Sequence, residues 1–213
     1  MSNIIKLTFN PFQENTYIIY DDSKECIIID PGCYDASEKS FLSAKIKELG
    51  LKPVRLLNTH CHLDHIFGNA YVAKTYNLPL EIHKGEIPVL EAFLPTSLGY
   101  GITNVEASPL PGRFIEEGTS ICFGETTLKT LLTPGHSPAS ICFYNEKDSY
   151  VIAGDVLFYE GIGRTDLPGG DYQTLLNSIN TELFLLPDNT IVYPGHGIKT
   201  TIGHEKVHNP FLS

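Results

Sequence analysis

Four apolar runs of strand length in this chain each end in a tight turn and then, at once, in a histidine or an aspartate. Val54-Arg-Leu-Leu-Asn-Thr leads to His60, and Leu128-Lys-Thr-Leu-Leu-Thr-Pro-Gly leads to His136. Tyr150-Val-Ile-Ala-Gly leads to Asp155, and Thr190-Ile-Val-Tyr-Pro-Gly leads to His196. A fold built on this pattern carries its strands in sheets and collects polar residues at their carboxyl ends, where rigid strands can hold them in one crevice. A glycine precedes each of His136, Asp155 and His196, and glycine lets the backbone turn sharply and approach a site closely.

The remaining sequence reads as more strands interleaved with helices. Strands are expected from Ile4 to Phe9, from Thr16 to Tyr20, along the apolar run from Cys26 to Asp30-Pro-Gly, and from Val54 to Leu57. A helix from Asp35 to Leu49 carries Phe41, Leu42, Ile46 and Leu49 at helical spacing and stops at Gly50. Gly68 to Tyr76 reads as a second helix. Residues 84 to 118 are rich in Pro and Gly around a short helix at Ile87 to Phe93, the style of a lid or pocket wall. In the second half, strands are expected at Ser120 to Phe123, Thr126 to Leu132, Ser140 to Tyr144, Tyr150 to Ala153 and Thr190 to Tyr193. Helices are expected from Asp171, a good N-cap, to about Glu182, and from Thr201 to Val207. This interleaving predicts an α/β chain with a sheet core and helices outside. At about 150 residues per domain, 213 residues make one large domain or two small ones. No linker divides them, so residues 1–213 are expected to form a single domain.

The histidines carry the chemistry. His60-Cys-His62-Leu-Asp64-His65 contains H-x-H-x-D-H, a pattern that chance delivers roughly once in 2,000 sequences of this length and composition. With His136, Asp155 and His196 there are seven ligand candidates. A catalytic zinc takes about three protein ligands and keeps a position open for water. Three ligands per ion and one bridging carboxylate make seven, so two ions are the economical solution. Alternation in an extended segment places His60 and His62 on one side and turns Cys61 away from them. Imidazole with carboxylate suits zinc, iron or manganese. His83, His204 and His208 lie outside the pattern and read as surface or capping residues.

Composition removes other classes. Five cysteines without a C-x-x-C pair argue against a disulfide framework and against a Cys-rich zinc site. A formal charge of −10 disfavours a phosphate backbone as partner, so a small molecule is expected rather than nucleic acid. No apolar run approaches the ~20 residues of a membrane span. The first residues lack a secretory h-region, which makes the cytoplasm the expected compartment. Oligomeric state is left open.

His60-x-His62-x-Asp64-His65, Thr-Pro-Gly-His136, Ala-Gly-Asp155 and Pro-Gly-His196 resemble the metallo-β-lactamase superfamily, and Ile29-Asp-Pro-Gly32 is similar to its first motif. Gly163-Arg-Thr-Asp-Leu-Pro-Gly-Gly-Asp171 and the terminal His208-Asn-Pro-Phe-Leu resemble its glyoxalase II branch, and most closely the short single-domain hydrolases there. The resemblance implies a four-layer αββα sandwich and two divalent metal ions, with zinc as the expected metal. It implies one ion held by His60, His62 and His136, a second held by Asp64, His65 and His196, and Asp155 bridging. Asp64 is then both ligand and catalytic group. The implied reaction is hydrolysis of a thioester of the hydroxyacylglutathione kind. Full-length glyoxalase II enzymes add a helical region that contacts glutathione after the last ligand, whereas 17 residues follow His196. Arg164 either binds a substrate carboxylate or pairs with a loop acid such as Asp166; both readings stay open.

Rival readings share the motif. A mononuclear-iron persulfide dioxygenase is the first, although that branch typically ends in Pro-Ala-His-Asp-Tyr where this chain has Pro194-Gly-His-Gly197. A lactonase, a phosphodiesterase and a non-catalytic metal-binding domain are the others.

Overall fold

In the computed structural model, which describes residues 1–212, the apolar runs assemble into two six-stranded sheets. The first takes β1 (Asn3–Phe9), β2 (Glu14–Tyr20), β3 (Glu25–Ile29), β4 (Lys52–Leu57), β5 (Leu80–Ile82) and β6 (Pro111–Phe114) in that spatial order. The pairs β1–β2 and β2–β3 are antiparallel, and β3 to β6 run parallel. Parallel neighbours need crossovers, which helices supply. Here α1 (Ala36–Glu48) joins β3 to β4, α2 (Leu63–Ile66) and α3 (Asn69–Tyr76) lie between β4 and β5, and α4 (Ile87–Glu91) and α5 (Phe93–Gly99) lie between β5 and β6. Strand β3 is buried on both faces, as its unbroken apolar run requires: Cys26, Ile27, Ile28 and Ile29 have no exposed surface. Each such isoleucine contributes about 1.5–3 kcal/mol by burial.

The second sheet takes β7 (Ser120–Phe123), β8 (Thr126–Leu132), β9 (Ile141–Asn145), β10 (Tyr150–Gly154), β13 (Ile191–Pro194) and β14 (Thr200–Thr201). Between β10 and β13 the chain forms a small hairpin, β11 (Leu157–Phe158) with β12 (Gly161–Ile162), and helix α6 (Tyr172–Ser178), which continues as a wide π-type turn to Leu183. Helix α7 (Ile202–His208) follows β14. Because β9 is antiparallel to both β8 and β10, and β13 is parallel to β10, strands β8, β10 and β13 all point the same way. Their carboxyl ends therefore share one edge of the sheet, and each leads to a predicted ligand. The chain comprises two compact units: Met1–Ile115 with Cys122–Thr126, and Glu116–Ile121 with the residues from Thr127 onward. Among the described residues no helix is long and apolar enough to cross a membrane.

The helix expected at 35–49 forms as α1. Asp35 Oδ1 caps it by accepting from Ser37 N (2.8 Å) and Glu38 N (2.9 Å). At its other end Gly50 takes φ +63 while Leu51 N reaches back to Ile46 O. Leu42 and Ile46 are buried, but Phe41 is 54% exposed. Residues 84–118 contain more regular structure than a lid. The helix expected over 87–93 is divided at Ala92 into α4 and α5, because Pro95 has no N–H to give the carbonyl of Glu91. Pro111-Gly-Arg-Phe then closes the first sheet as β6, an edge position where proline forfeits no ladder bond.

One carboxylate fastens the β2–β3 turn to the β7–β8 turn. Asp21 Oδ2 accepts from Glu125 N (2.7 Å) and Thr126 Oγ1 (2.8 Å), and Oδ1 accepts from Ser23 N (3.0 Å). Burial opposes its charge, yet hydrogen bonds from Ser23, Thr126 and Glu125 outweigh burial and hold the carboxyl down at about 2. A depressed folded-state value means stability that is present above the ordinary carboxylate range and is lost as pH falls through about 2. Asp21→Asn is expected to lower the unfolding free energy by roughly 1–3 kcal/mol near neutrality. Chemical denaturation should show the difference from wild type shrinking below about pH 4; a difference that stays constant there would rule out the carboxylate charge as its source.

Candidate metal centre

In the N-terminal unit, β4 delivers an extended stretch, Asn58 to His62, into α2, whose first turn holds Asp64 and His65. The rings of His60 and His62 lie 4.8 Å apart, and that of His65 lies 4.1 Å from that of His60. His65 Nε2 is 3.8 Å from Asp64 Oδ2. The structure thus gathers all four histidine and aspartate candidates of the motif. Cys61 packs the other way, in the apolar core at 1% exposure, and burial pushes its thiol far above the ordinary range.

Asp30, at the end of β3 with φ +50, orients this group. Its Oδ1 accepts from Thr59 N (2.7 Å) and Asn58 Nδ2 (3.2 Å), and its Oδ2 accepts from Thr59 Oγ1 (2.6 Å) and faces His65 Nδ1 at 3.1 Å. Since the Thr59 hydroxyl gives its proton to Asp30, its oxygen is left to accept from His60 Nδ1, 3.0 Å away. Both imidazoles are thereby held as Nδ1–H tautomers with the lone pair on Nε2, the arrangement a ligating histidine needs. Asn10 Nδ2 donates to the carbonyls of Gly32 (3.0 Å) and Asp64 (2.9 Å). Glu14 is wholly buried with Oε1 4.0 Å from His65 Nδ1, and burial pushes its carboxyl well above the usual range. Sequence reasoning noted Asp30 as part of a motif and passed over Asn10, Glu14, Asn58 and Thr59. Asn10 and Glu14 come from segments far from the motif and carry no spacing signal, while Asn58 and Thr59 directly precede His60 and reveal their role only through their hydrogen bonds to Asp30.

In the C-terminal unit, His136, Asp155 and His196 follow β8, β10 and β13 and converge on one atom. Asp155 Oδ2 lies 3.6 Å from His136 Nε2 and 3.4 Å from His196 Nε2. His136 Nδ1 donates to the Arg164 carbonyl at 2.8 Å, which fixes the same tautomer as in His60 and His65. Two glycines are obligatory here. Gly135 has φ +126, and a side chain on it would meet Leu175 N at 2.2 Å. A Cβ on Gly163 would lie 1.9 Å from the Asp155 carbonyl and 3.0 Å from His136 Nδ1. Gly154 takes a left-handed turn as well (φ +51), but beside His196 the left-handed residue is Gly197, after the ligand, rather than Gly195 before it.

The donor chemistry fits divalent cations. Four candidate ligands sit in one unit and three in the other, all imidazole or carboxylate. Separations of 3.4–3.8 Å between neighbouring donors are too long for good hydrogen bonds and match donors that share an ion at bond lengths of about 2.0–2.2 Å.

The residues set aside behave as expected of structural side chains. His83 Nδ1 accepts from Gly85 N at 3.1 Å, and His204 stacks on Tyr159 with ring centroids 5.0 Å apart. All five cysteines are free thiols, four of them buried. Arg164 makes a two-pronged ion pair with Asp166, 2.7 Å at each contact, on an exposed loop.

Gly163→Ala is expected to displace the Asp155 and His136 backbone and to reduce bound metal per chain by elemental analysis, with the fold retained by circular dichroism. Full metal content in that variant would show that the close approach at Gly163 does not govern the ligands.

The family model of the metallo-beta-lactamase superfamily matches residues 9–196, a span that includes every ligand position. Hydroxyacylglutathione hydrolase GloC of Haemophilus influenzae is 39% identical over 213 residues, 99% of this chain and 98% of GloC. Among solved structures, the BLEG-1 B3 metallo-beta-lactamase gives a TM-score of 0.91 at 37% identity, covering 99% of this chain and 100% of that one. TTHA1623, crystallised in a di-iron-bound form, gives 0.88 at 38% identity, covering 98% and 100%. The expected fold and the resemblance in the ligand motifs agree with these matches: the chain belongs to the metallo-β-lactamase superfamily and carries its mixed α/β fold.

Proposed function

We propose that this metallo-hydrolase is a dinuclear thioesterase acting on acylated thiols of the hydroxyacylglutathione kind. The observation that carries the reading is the single Asp155 oxygen set 3.4–3.6 Å from two imidazole nitrogens, the disposition of a carboxylate shared between two ions. The ligand sets are those implied by the family motifs: His60, His62 and His136 for one ion, and Asp64, His65 and His196 for the other. When bound, such ions lower the pKa of water to about 7 and polarise a carbonyl oxygen. Zinc is the proposed metal, and iron or manganese also suits this donor set.

The chain's own residues account for the rest. Asp30, Thr59 and the Arg164 carbonyl keep three imidazoles in the tautomer that offers Nε2. Asp64, whose backbone carbonyl accepts from Asn10, is assigned the role of a ligand on which catalysis depends. A thiolate leaves readily, so no dedicated general acid is required, and hydroxide as nucleophile needs no activated Ser or Cys. The similarity to GloC supports a thioester substrate. BLEG-1, equally similar, bears the name of a β-lactamase, so the hydrolytic scaffold is common to both and the leaving group is what distinguishes them.

The test is a panel assay on purified protein with a 2-hydroxyacyl thioester of glutathione, a lactone, a β-lactam, a phosphodiester and a persulfide, with metal content and oxygen uptake measured alongside. Two metal equivalents per chain and thiol release from the thioester are expected, with activity lost on chelation and regained on metal addition. One iron per chain with persulfide-dependent oxygen consumption would overturn the reading. Arg164→Ala separately addresses recognition. If a substrate carboxylate exchanges with Asp166 at this guanidinium, KM for acidic thioesters rises while kcat holds. An unchanged KM assigns Arg164 to its loop ion pair alone.

A further inference from the structure

The terminal His208-Asn-Pro-Phe-Leu run has no place among the ligands, yet its asparagine is buried at 1% exposure beside a wholly buried carboxylate, Glu205. Burying a carboxylate costs several kcal/mol unless its oxygens are hydrogen-bonded. Those of Glu205 are. Oε2 accepts from Glu160 N at 3.0 Å and from Asn209 Nδ2 at 2.8 Å, and Oε1 accepts from the Thr200 hydroxyl. The Asn209 amide also donates to the Gly161 carbonyl at 3.1 Å.

These partners lie on the segments that set the ligands of the C-terminal unit. Glu160 lies in the turn of the β11–β12 hairpin and Gly161 opens β12; the hairpin leaves Asp155 and returns at Gly163 and Arg164, where the backbone lies against Asp155 and fixes His136. That hairpin has two residue pairs, too few to hold its own position. Its tip is pinned by α7 through Glu205, through Asn209 and through the His204 contacts with Tyr159 and Glu160. Its Phe158 ring meets His196 at 6.3 Å. On the other side, Thr200 lies four residues beyond His196.

We propose that Glu205, together with Asn209, is the positioning device of this half of the centre: it joins the hairpin tip to the stretch after His196, so that Asp155 Oδ2 keeps its place between the two imidazoles. The inference rests on the reading of His136, Asp155 and His196 as metal ligands. A glutamine can preserve the whole network, since its carbonyl oxygen can face Glu160 N and Asn209 while its amide donates to the Thr200 oxygen. An alanine removes it.

The test measures zinc affinity of the full chain by competition with a chromophoric chelator, with folding followed by far-UV circular dichroism. Glu205→Ala is expected to bind zinc about tenfold more weakly than wild type, and Glu205→Gln to restore binding to within about twofold. Should the alanine variant fail to fold, Thr200→Val and Asn209→Ala each sever one arm of the network and are expected to weaken zinc binding in a folded chain. Variants that lose denaturant resistance but bind zinc as wild type does would overturn the proposal, because a purely structural carboxylate would behave that way. Wild-type protein that binds no zinc, iron or manganese would instead overturn the metal reading on which it stands.

Discussion

Imidazole and carboxylate donors held 3.4–3.8 Å apart have the spacing of groups that could share a cation, longer than a short hydrogen bond. Hydrogen bonds around these candidate ligands hold their orientation. Asp30 takes hydrogen bonds from the backbone and side chain of Thr59 and from Asn58 while facing His65, and the carbonyl of Arg164 fixes His136. These partners are themselves buried or backbone, so the orientation they impose is rigid.

The backbone contributes as much as the side chains. Strands β8, β10 and β13 run in one direction, so the residues that follow them emerge along the same sheet edge. At that edge the chain must turn without a Cβ in the way. Gly135 against Leu175 and Gly163 against the Asp155 carbonyl are positions where one extra carbon would collide with main chain. The short β11–β12 hairpin and helix α7 continue the same logic further out, through hydrogen bonds to backbone groups rather than through apolar packing alone.

Substrate choice is governed elsewhere. Chains of similar sequence carry the names of a hydroxyacylglutathione hydrolase and a B3 metallo-beta-lactamase, so the shared scaffold does not by itself fix the substrate. At the exposed Arg164 the guanidinium is engaged by Asp166 and holds that carboxyl down at about 2.

The sequence alone determined most of the longer strands, the family and the seven ligand candidates. Their signals are local: apolar runs of strand length, a turn, and a rare H-x-H-x-D-H spacing. It also separated Cys61 from its neighbours, because alternation in an extended chain is a property of the backbone itself. It did not reveal that Pro111-Gly-Arg-Phe is an edge strand, that Gly197 rather than Gly195 takes the left-handed turn, that Asn10 and Thr59 hydrogen-bond beside the candidate ligands, or that Glu205 accepts from the β11–β12 turn. Those facts depend on which distant segments meet. Strand pairing and burial decide that: Thr200 and Asn209 stand within five positions of Glu205, but no window of neighbouring residues contains Glu160 or shows that Pro111 falls on a sheet edge. Only tertiary structure brings Glu160 to the carboxylate that Thr200 and Asn209 already approach from nearby in sequence, because that hydrogen bond spans 45 positions.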